Sequence, residues 1–532
     1  LLGVFVGFLY FINLFFSFFY FFLSIVLSFF GFFFSSFEIS PIFNLNFFKI
    51  WLFFDFFSIS FLQILFLIVS SVFFFVYYYI NNDNNFSVVL NLFVVSMVFL
   101  VVFPDFFSFI VGWDGLGFTS FILVIWYSSN SSFFSGMKTF LVNRFGDALF
   151  LLGICLLFNQ GSLNFLTIDY LFVVSFVFIF ASFTKSAIFP FSSWLPLAMA
   201  APTPVSSLVH SSTLVTAGLF VLFRLNYLVE GFGWFLSLLA FITMFYAGIC
   251  GFFEFDSKKV VAYSTLSQLG FMLLIFSSGF YNLFFFYLLT HAVFKALMFI
   301  SVGCYMLNVF HNQDLRSLGS VVVTPIVKIN LIVSVLTLSG FPVLSGYILK
   351  DSFVFSLNNI PINIFYDVLL FGSIVVTIIY SFRLVNVLLL SFLNNNSVVS
   401  CPINFSVFLF LPLYLGCFFV SLVLTNHLNY FINLSFNMAF NILVLIFFGI
   451  FFSTNNFSNF YFSELFFLGF FNSFFNRLFN LGWFFYLYFD QVLFFPSFIG
   501  GLNNSFSFVF MGLNWFSYIC FFLVVFFLFL LV

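Results

Sequence analysis

Residues 184–224 read TKSAIFPFSSWLPLAMAAPTPVSSLVHSSTLVTAGLFVLFR. This stretch sets Lys185 and His210 in otherwise apolar sequence and breaks that sequence at Pro190, Pro196, Pro202 and Pro204. A charge at the centre of a bilayer costs about 2.5 to 3.5 kcal/mol on insertion scales, so such groups normally face a polar interior or a water path. Non-helical backbone at that depth persists only where protein or a cavity surrounds it. Two ionisable groups flanking a proline-rich interruption therefore read as a translocation path.

The rest of the chain has the same texture. Of 532 residues, 64% are hydrophobic and only 5% charged, which excludes an ordinary soluble protein. Taking about 20 apolar residues per crossing, the runs give about 14 to 16 spans. Lipid offers no partners to free backbone groups, so nearly all of the chain is expected to be helical. The fold class is an all-α polytopic membrane protein. The first run, residues 1–34, lacks a basic front and reads as a span, with no cleavable signal expected. A net charge of −2 gives no electrostatic case for nucleic acid or an acidic substrate. Six cysteines lie singly, without metal or redox spacing.

Spans are expected at 3–30, 52–80, 86–103, 107–127, 138–158, 171–190 and 203–224. They continue at 233–253, 261–279, 283–307, 322–339, 343–358, 366–391, 405–424 and 437–453. Polar clusters such as Asp256-Ser257-Lys258-Lys259 and Asn312-Gln313-Asp314-Leu315-Arg316 mark solvent loops between them. From 456 Asn, Ser and Gly recur. The division expected is a transmembrane bundle over 1–455, a connecting and surface-lying segment over 456–512, and an anchoring span over 513–532.

Several ionisable residues stand inside the apolar runs. Asp114 sits in Gly112-Trp113-Asp114-Gly115. Arg144 and Asp147 are three apart, on one helix face, where they partly neutralise each other. Lys185 needs a carboxylate partner if it is to stay charged away from water, and both Asp147 and Asp114 are candidates. Ser206, Ser207, Ser211, Ser212 and Thr213 surround His210 with hydroxyls. His291 and Lys295 are four apart on one face, with Tyr287 and Thr290 close by. Lys350 and Asp351 follow Gly340, Pro342 and Gly346, which break their helix much as the prolines after Lys185 do. Two broken helices, each with a lysine, suggest an internal duplication.

These residues lie in a recognisable order of motifs. GWDGLGFTSFILVIWY, NRFGDALFLL, KSAIFPFSSWLP, APTPVSSLVHSSTLVTAGLF, DSKKVVAYSTLSQLGFM, THAVFKALMF, QDLRSLG and GFPVLSGYILKD follow one another here. In that sequence the chain resembles the family of NADH dehydrogenase subunit 5, the distal antiporter-like membrane subunits of respiratory complex I. FDFFS at 54–58 and YFSELFFLGFFNSFFNR at 461–477 look similar too. The resemblance implies proton translocation in the mitochondrial inner membrane, driven by electron transfer from NADH to ubiquinone in other subunits. It implies an antiporter-like bundle with two inverted repeats containing broken helices, then a lateral helix near 485–512 and the final anchor. Asp114 and Asp147 would form the carboxylate side of the input half, with Lys185 as their partner and Arg144 supporting. His210, His291 and Lys295 would form the central relay, and Lys350 with Asp351 the outlet pair. It further implies no cofactor on this chain, with FMN, iron–sulfur clusters and ubiquinone in partner subunits. Expected neighbours are the subunit 4-like and subunit 2-like antiporter-like chains, accessory subunits, and lipids including cardiolipin.

Three positions depart from the family pattern: Asp114 where Glu is usual, Tyr287 where a second histidine is common, and a lateral region unusually rich in Phe. Two other readings stay open at this point, the large subunit of a multi-subunit cation/proton antiporter and a non-pumping scaffold of the same fold.

Overall fold

The computed structural model describes residues 12–30, 35–39, 50–80, 84–158, 172–309, 311–318, 323–341, 344–358, 364–390 and 410–416. The expected spans at 405–424 (apart from its central turns), 437–453 and 513–531, and the segment 456–512, lie outside them.

The chain begins with α1 (Ile12–Phe30), followed by β1 (Ser35–Ile39) and β2 (Ile50–Phe54). The strands pair antiparallel, Ser35 opposite Phe54 and Ile39 opposite Ile50. These strands are an exception to the nearly all-helical backbone expected, and β2 takes the first residues of the span expected at 52–80. Ile50-Trp51-Leu52-Phe53-Phe54 is rich in β-branched and aromatic residues, which suit a pleated surface. Asp55 then starts α2 (Phe56–Tyr79): its carboxylate accepts from the Ser58 amide at 2.8 Å, and the Ser58 hydroxyl accepts from the Asp55 amide at 2.9 Å. That reciprocal cap satisfies two donors that the first turn would leave free.

Then come α3 (Asn84–Val102), α4 (Phe106–Val124), α5 (Asn130–Phe158) and α6 (Phe172–Ser186). The proline-rich stretch that follows breaks into α7 (Trp194–Ala198), α8 (Thr203–Leu208), a π-helical turn over Val209–Thr213, α9 (Leu214–Arg224) and α10 (Asn226–Val229). Long helices resume with α11 (Gly233–Phe253), α12 (Ser257–Ser277) and α13 (Tyr281–Asn308). After the single turn α14 (Leu315–Leu318) come α15 (Pro325–Ser339), α16 (Ser345–Asn358) and α17 (Ile364–Leu390).

Among the described residues nine helices are long and apolar enough to cross a membrane. Helices α2, α13 and the broken Thr203–Arg224 unit are buried along their whole apolar length. A helix that is apolar all round and has no wet face belongs at the centre of a bundle. α13 fills that centre, packing against α2, α8, the π-helical turn, α12, α15 and α16. The outer helices turn phenylalanines outward instead: Phe15, Phe18 and Phe22 on α1 are each about two-thirds exposed. That surface suits hydrocarbon, and this is a multi-pass membrane protein.

Two of the expected solvent loops pair with each other, with Asn312, Gln313 and Arg316 exposed as expected. Asp256 and Asp314 form an antiparallel bridge, Ser257 N–H donates to Gln313 O at 2.9 Å, and Leu315 N–H to Phe255 O at 2.9 Å. The start of α12 is thereby drawn into the bundle and Lys258 is buried.

Candidate functional site: a buried line of charge and hydroxyls

α6 ends where Ala187 takes a left-handed conformation (φ 53°) and Pro190 removes a donor. Its freed carbonyls are caught locally: Trp194 Nε1–H donates to Thr184 O at 2.9 Å, and Ile188 N–H to Phe183 O at 3.2 Å. Lys185 thus sits in the last turn of a helix, where a cation meets the negative end of the dipole. Its side chain is fully buried. The ammonium donates to Trp113 O at 2.8 Å, lies 4.7 Å from the centre of the Trp113 ring, and faces Asp147 Oδ1 at 3.7 Å. A Cβ on Gly117 would stand 3.2 Å from that nitrogen, so the glycine leaves the space the amine uses.

Asp147 in turn meets Arg144 Nη1 at 3.3 Å, and the same nitrogen reaches Asp114 Oδ2 at 3.5 Å. The four residues form one chain of alternating charge drawn from α4, α5 and α6. Its outer members are half-exposed (Asp114 40%, Arg144 39%), its inner member not at all. Ionisable groups are carried here from the bundle surface to its interior. Both carboxylates proposed from sequence as partners of Lys185 belong to the chain, Asp147 directly and Asp114 through Arg144.

His210 lies in the π-helical turn. Around it, hydroxyls compete with backbone amides for carbonyls: Ser212 Oγ bonds Leu208 O at 3.0 Å, Thr213 Oγ1 bonds the same oxygen at 2.8 Å, Thr216 Oγ1 bonds Ser212 O at 2.6 Å, and Ser211 Oγ bonds Ser207 O. Such back-bonding loosens a helix and accounts for the widened turn. The imidazole sits edge-on to Trp194 (6.1 Å between ring centres), and neither ring nitrogen has a partner among the described residues.

On α13, Lys295 donates to Ser264 Oγ at 2.6 Å, while both nitrogens of His291 are buried without a partner among the described residues. Buried polar groups of this kind ordinarily bind water. Tyr287, one turn before His291, donates to Gln268 Oε1 at 2.5 Å. The Gln268 amide reaches the Tyr380 hydroxyl at 3.4 Å, and that hydroxyl shares a proton with Ser267 at 2.7 Å. Gln268, Ser264, Ser267 and Tyr380 escaped the sequence reading, because hydroxyls and amides in apolar runs carry no charge to mark them.

Lys350 and Asp351 are buried in α16. Being consecutive, their side chains diverge: the Lys350 amine turns back to Leu338 O at 2.5 Å, at the end of α15, and no ion pair joins it to Asp351. α15 closes with Gly340 in the left-handed region (φ 82°), which only glycine adopts freely. Pro342 falls outside the described residues. Lys350 lies close enough to Lys295 for the two charges to interact across α13 and α16.

Two further anchored cations were missed. Arg224, the last residue of α9, grips Asp55 with both terminal nitrogens (2.6 and 2.9 Å), tying the start of α2 to a helix 169 positions away. Lys258 donates to Ala201 O at 3.0 Å, inside the proline-rich break. Lys258 stands at the start of a helix buried on all sides from Val260 to Phe276, whereas the neighbouring Lys259 is partly exposed and pairs with Asp256 at 2.5 Å.

The model of the NADH:quinone oxidoreductase/Mrp antiporter transmembrane family matches residues 104–378, more than half of the chain and every residue of this line except Tyr380. The chain belongs to that family. Among similar proteins within and around it, NADH-ubiquinone oxidoreductase chain 5 of Locusta migratoria is 45% identical over 311 residues, 57% of this chain and 54% of that one. The chain so named from Anopheles arabiensis is 47% identical over 280 residues, 50% of this chain and 72% of that one. The chain spans about half the length of the curated relatives it matches first. Among solved structures, the Mrp complex of Dietzia sp. DQ12-45-1b has a TM-score of 0.69 at 22% identity, over 81% of this chain and 52% of that one. An archaeal membrane-bound sulfane sulfur reductase gives 0.66 at 18%, over 84% and 93%. These two share the antiporter-family fold, and both belong to multi-subunit membrane complexes.

Proposed function

We propose that this chain is a proton-translocating membrane-arm subunit of mitochondrial respiratory complex I. Electron transfer from NADH to ubiquinone takes place in partner subunits carrying FMN and iron–sulfur clusters, and this chain moves protons across the inner membrane. The observation that carries the reading is the charge chain Asp114–Arg144–Asp147–Lys185, which runs from half-exposed to fully buried inside the family segment. A scaffold has no reason to bear that desolvation cost.

The roles follow from the chemistry. Asp147 stabilises Lys185 when the amine holds a proton, and releases it when drawn back to Arg144. His210, His291 and Lys295 relay the proton with water through the centre, and Tyr287 passes a hydrogen bond there without titrating near neutrality. Lys350 receives it on the outlet side, with Asp351 buried beside it. The half-exposed Asp114 and Arg144 face a neighbouring antiporter-like subunit, subunit 4-like in character, whose charges trigger the Asp147 swing. The remaining neighbours are a subunit 2-like chain, accessory subunits and lipids including cardiolipin.

The test is direct. Lys185→Ala and Lys350→Ala should each lower ubiquinone reductase turnover and proton pumping while NADH oxidation by an artificial acceptor persists. Unchanged turnover and stoichiometry in both variants overturns the proposal. A cation/proton antiporter subunit is the second reading, favoured by the likeness to an Mrp complex. Purification in an assembly that contains no NADH-oxidising flavoprotein would select it.

A further inference from the structure

At one end of the bundle the terminus of α2, the start of α8, the start of α12 and the residues just after α13 converge. Their side chains there are Tyr79, Thr203, Lys258 and His311. His311 is exposed, whereas Tyr79, Thr203 and Lys258 are buried. His311 is held in a left-handed conformation (φ 63°), its amide donating to Met306 O at 2.9 Å. That backbone state is uncommon outside glycine and fixes where the ring projects. The ring stands edge-on to Tyr79 at 5.0 Å, with Nδ1 3.2 Å from the Tyr79 hydroxyl. The Tyr79 hydroxyl lies beside Thr203 and Tyr127, and the Thr203 hydroxyl is buried without a hydrogen-bond partner among the described residues. From Thr203 the residues Ser206, Ser207 and His210 follow at intervals of three, four and seven, one face of α8 and its widened extension, all buried. His210 closes the ladder with two nitrogens that have no partner among the described residues.

We propose that His311 is the proton-uptake group at this end, delivering protons through Tyr79 and the Thr203–Ser206–Ser207 hydroxyls to His210. This rests on the proton-translocation reading above. A proton from bulk water adds at Nε2. The Nδ1 proton passes to the Tyr79 oxygen as the Tyr79 hydroxyl proton moves on towards Thr203. The imidazole is left neutral with its proton on Nε2, and exchange with water resets the tautomer. Lys258, anchored on Ala201 O, is a positioning residue: it pins the break that presents Thr203 and is the cation whose charge acts on His311. Partial burial and that charge pull the imidazole below its ordinary value, so at neutral pH it is mostly empty and free to load.

The test uses the intact complex carrying His311→Asn, since Asn tolerates the left-handed backbone but cannot titrate. Ubiquinone reductase turnover should fall several-fold at pH 8 and above, with a smaller loss at pH 6.5, and artificial-acceptor activity should not change. In His311→Ala, millimolar imidazole should restore the alkaline rate. Full turnover of His311→Asn at every pH, or a loss that is pH-independent and not relieved by imidazole, overturns the assignment. Lys185→Ala run alongside separates the two claims. If it is impaired while His311→Asn is normal, only the uptake role falls. If Lys185→Ala is also normal, the translocation reading falls first.

Discussion

Replacing Asp147 by Asn tests the charge chain with little change of shape. Asp147 faces Lys185 across 3.7 Å, and the Lys185 side chain has no exposed surface. At an effective dielectric of about 20, that separation is worth about 4 kcal/mol between unit charges. The remaining acceptor, Trp113 O at 2.8 Å, is neutral, and the second carboxylate, Asp114, reaches Lys185 only through Arg144. The proton-loaded state of Lys185 therefore loses most of that energy relative to the empty state, a change of about a thousandfold at 1.4 kcal/mol per decade. Because other steps share control of turnover, coupled activity should fall at least about tenfold. The assay is ubiquinone reductase activity with proton uptake in sealed membranes, and artificial-acceptor activity controls for assembly. Arg144 keeps Asp114 as its partner, so the fold should survive. Asp147→Asn membranes that pump at the normal rate and stoichiometry refute the argument.

Other consequences follow from neighbouring contacts. Arg224→Ala leaves a buried carboxylate without its bidentate partner and should cost about 3 to 5 kcal/mol, read as a lower thermal midpoint of the assembled complex; an unchanged midpoint contradicts it. Burial raises the Asp55 carboxyl, but the hydrogen bonds and charge of Arg224 outweigh this and hold it below the usual range. Its stabilisation is accordingly complete above about pH 4 and fades as the pH falls through the lower folded value, so the wild type should lose more stability in acid than Asp55→Asn does. Gly346→Ala places a methyl group against the Thr337 carbonyl, and backbone cannot give way cheaply. It should push α16 from α15, break the Lys350 contact to Leu338 O, and lower coupled turnover as well as stability by about 1 to 3 kcal/mol; normal turnover in that variant argues against a role for that contact. Tyr287→Phe removes the donor to Gln268 and should reduce turnover only a few-fold, with a loss as large as that of Lys185→Ala refuting a purely hydrogen-bonding role.

The apolar runs located most helices closely: 233–253 and 203–224 coincide with the observed segments, α12 starts four residues before the span expected at 261–279 and ends two before its end, and α13 exceeds the span expected at 283–307 by two residues at its start and one at its end. A bilayer leaves the backbone few choices, so hydropathy alone does much of the work. The spacing of Arg144 and Asp147, and of His291 and Lys295, also placed each pair on one face as found. What escaped has a common cause. β2 is as apolar as the span it adjoins and differs from it only in its local propensity, so hydropathy ran the two together. Lys258 was read by composition as part of a polar break, and α12, buried on all sides from Val260 onward, has no phase that would mark it as inward. Asp55–Arg224 joins distant parts of the chain, and no local pattern reveals such a partner, whereas the need of a buried lysine for a carboxylate had already pointed to Asp147 for Lys185. Lys350 and Asp351, adjacent in sequence, read as a pair, yet helix geometry turns them apart.

The claim on which the rest depends is that these buried groups share a hydrated route. The most direct measurement is an experimental structure of the intact complex at a resolution that shows ordered water. The account predicts water spanning the gaps from Lys185 past His210 and His291 to Lys295 and Lys350, with bridging steps of about 3 Å. Closely packed aliphatic and phenylalanine side chains filling those gaps, with no room for water between the titratable groups, would contradict it.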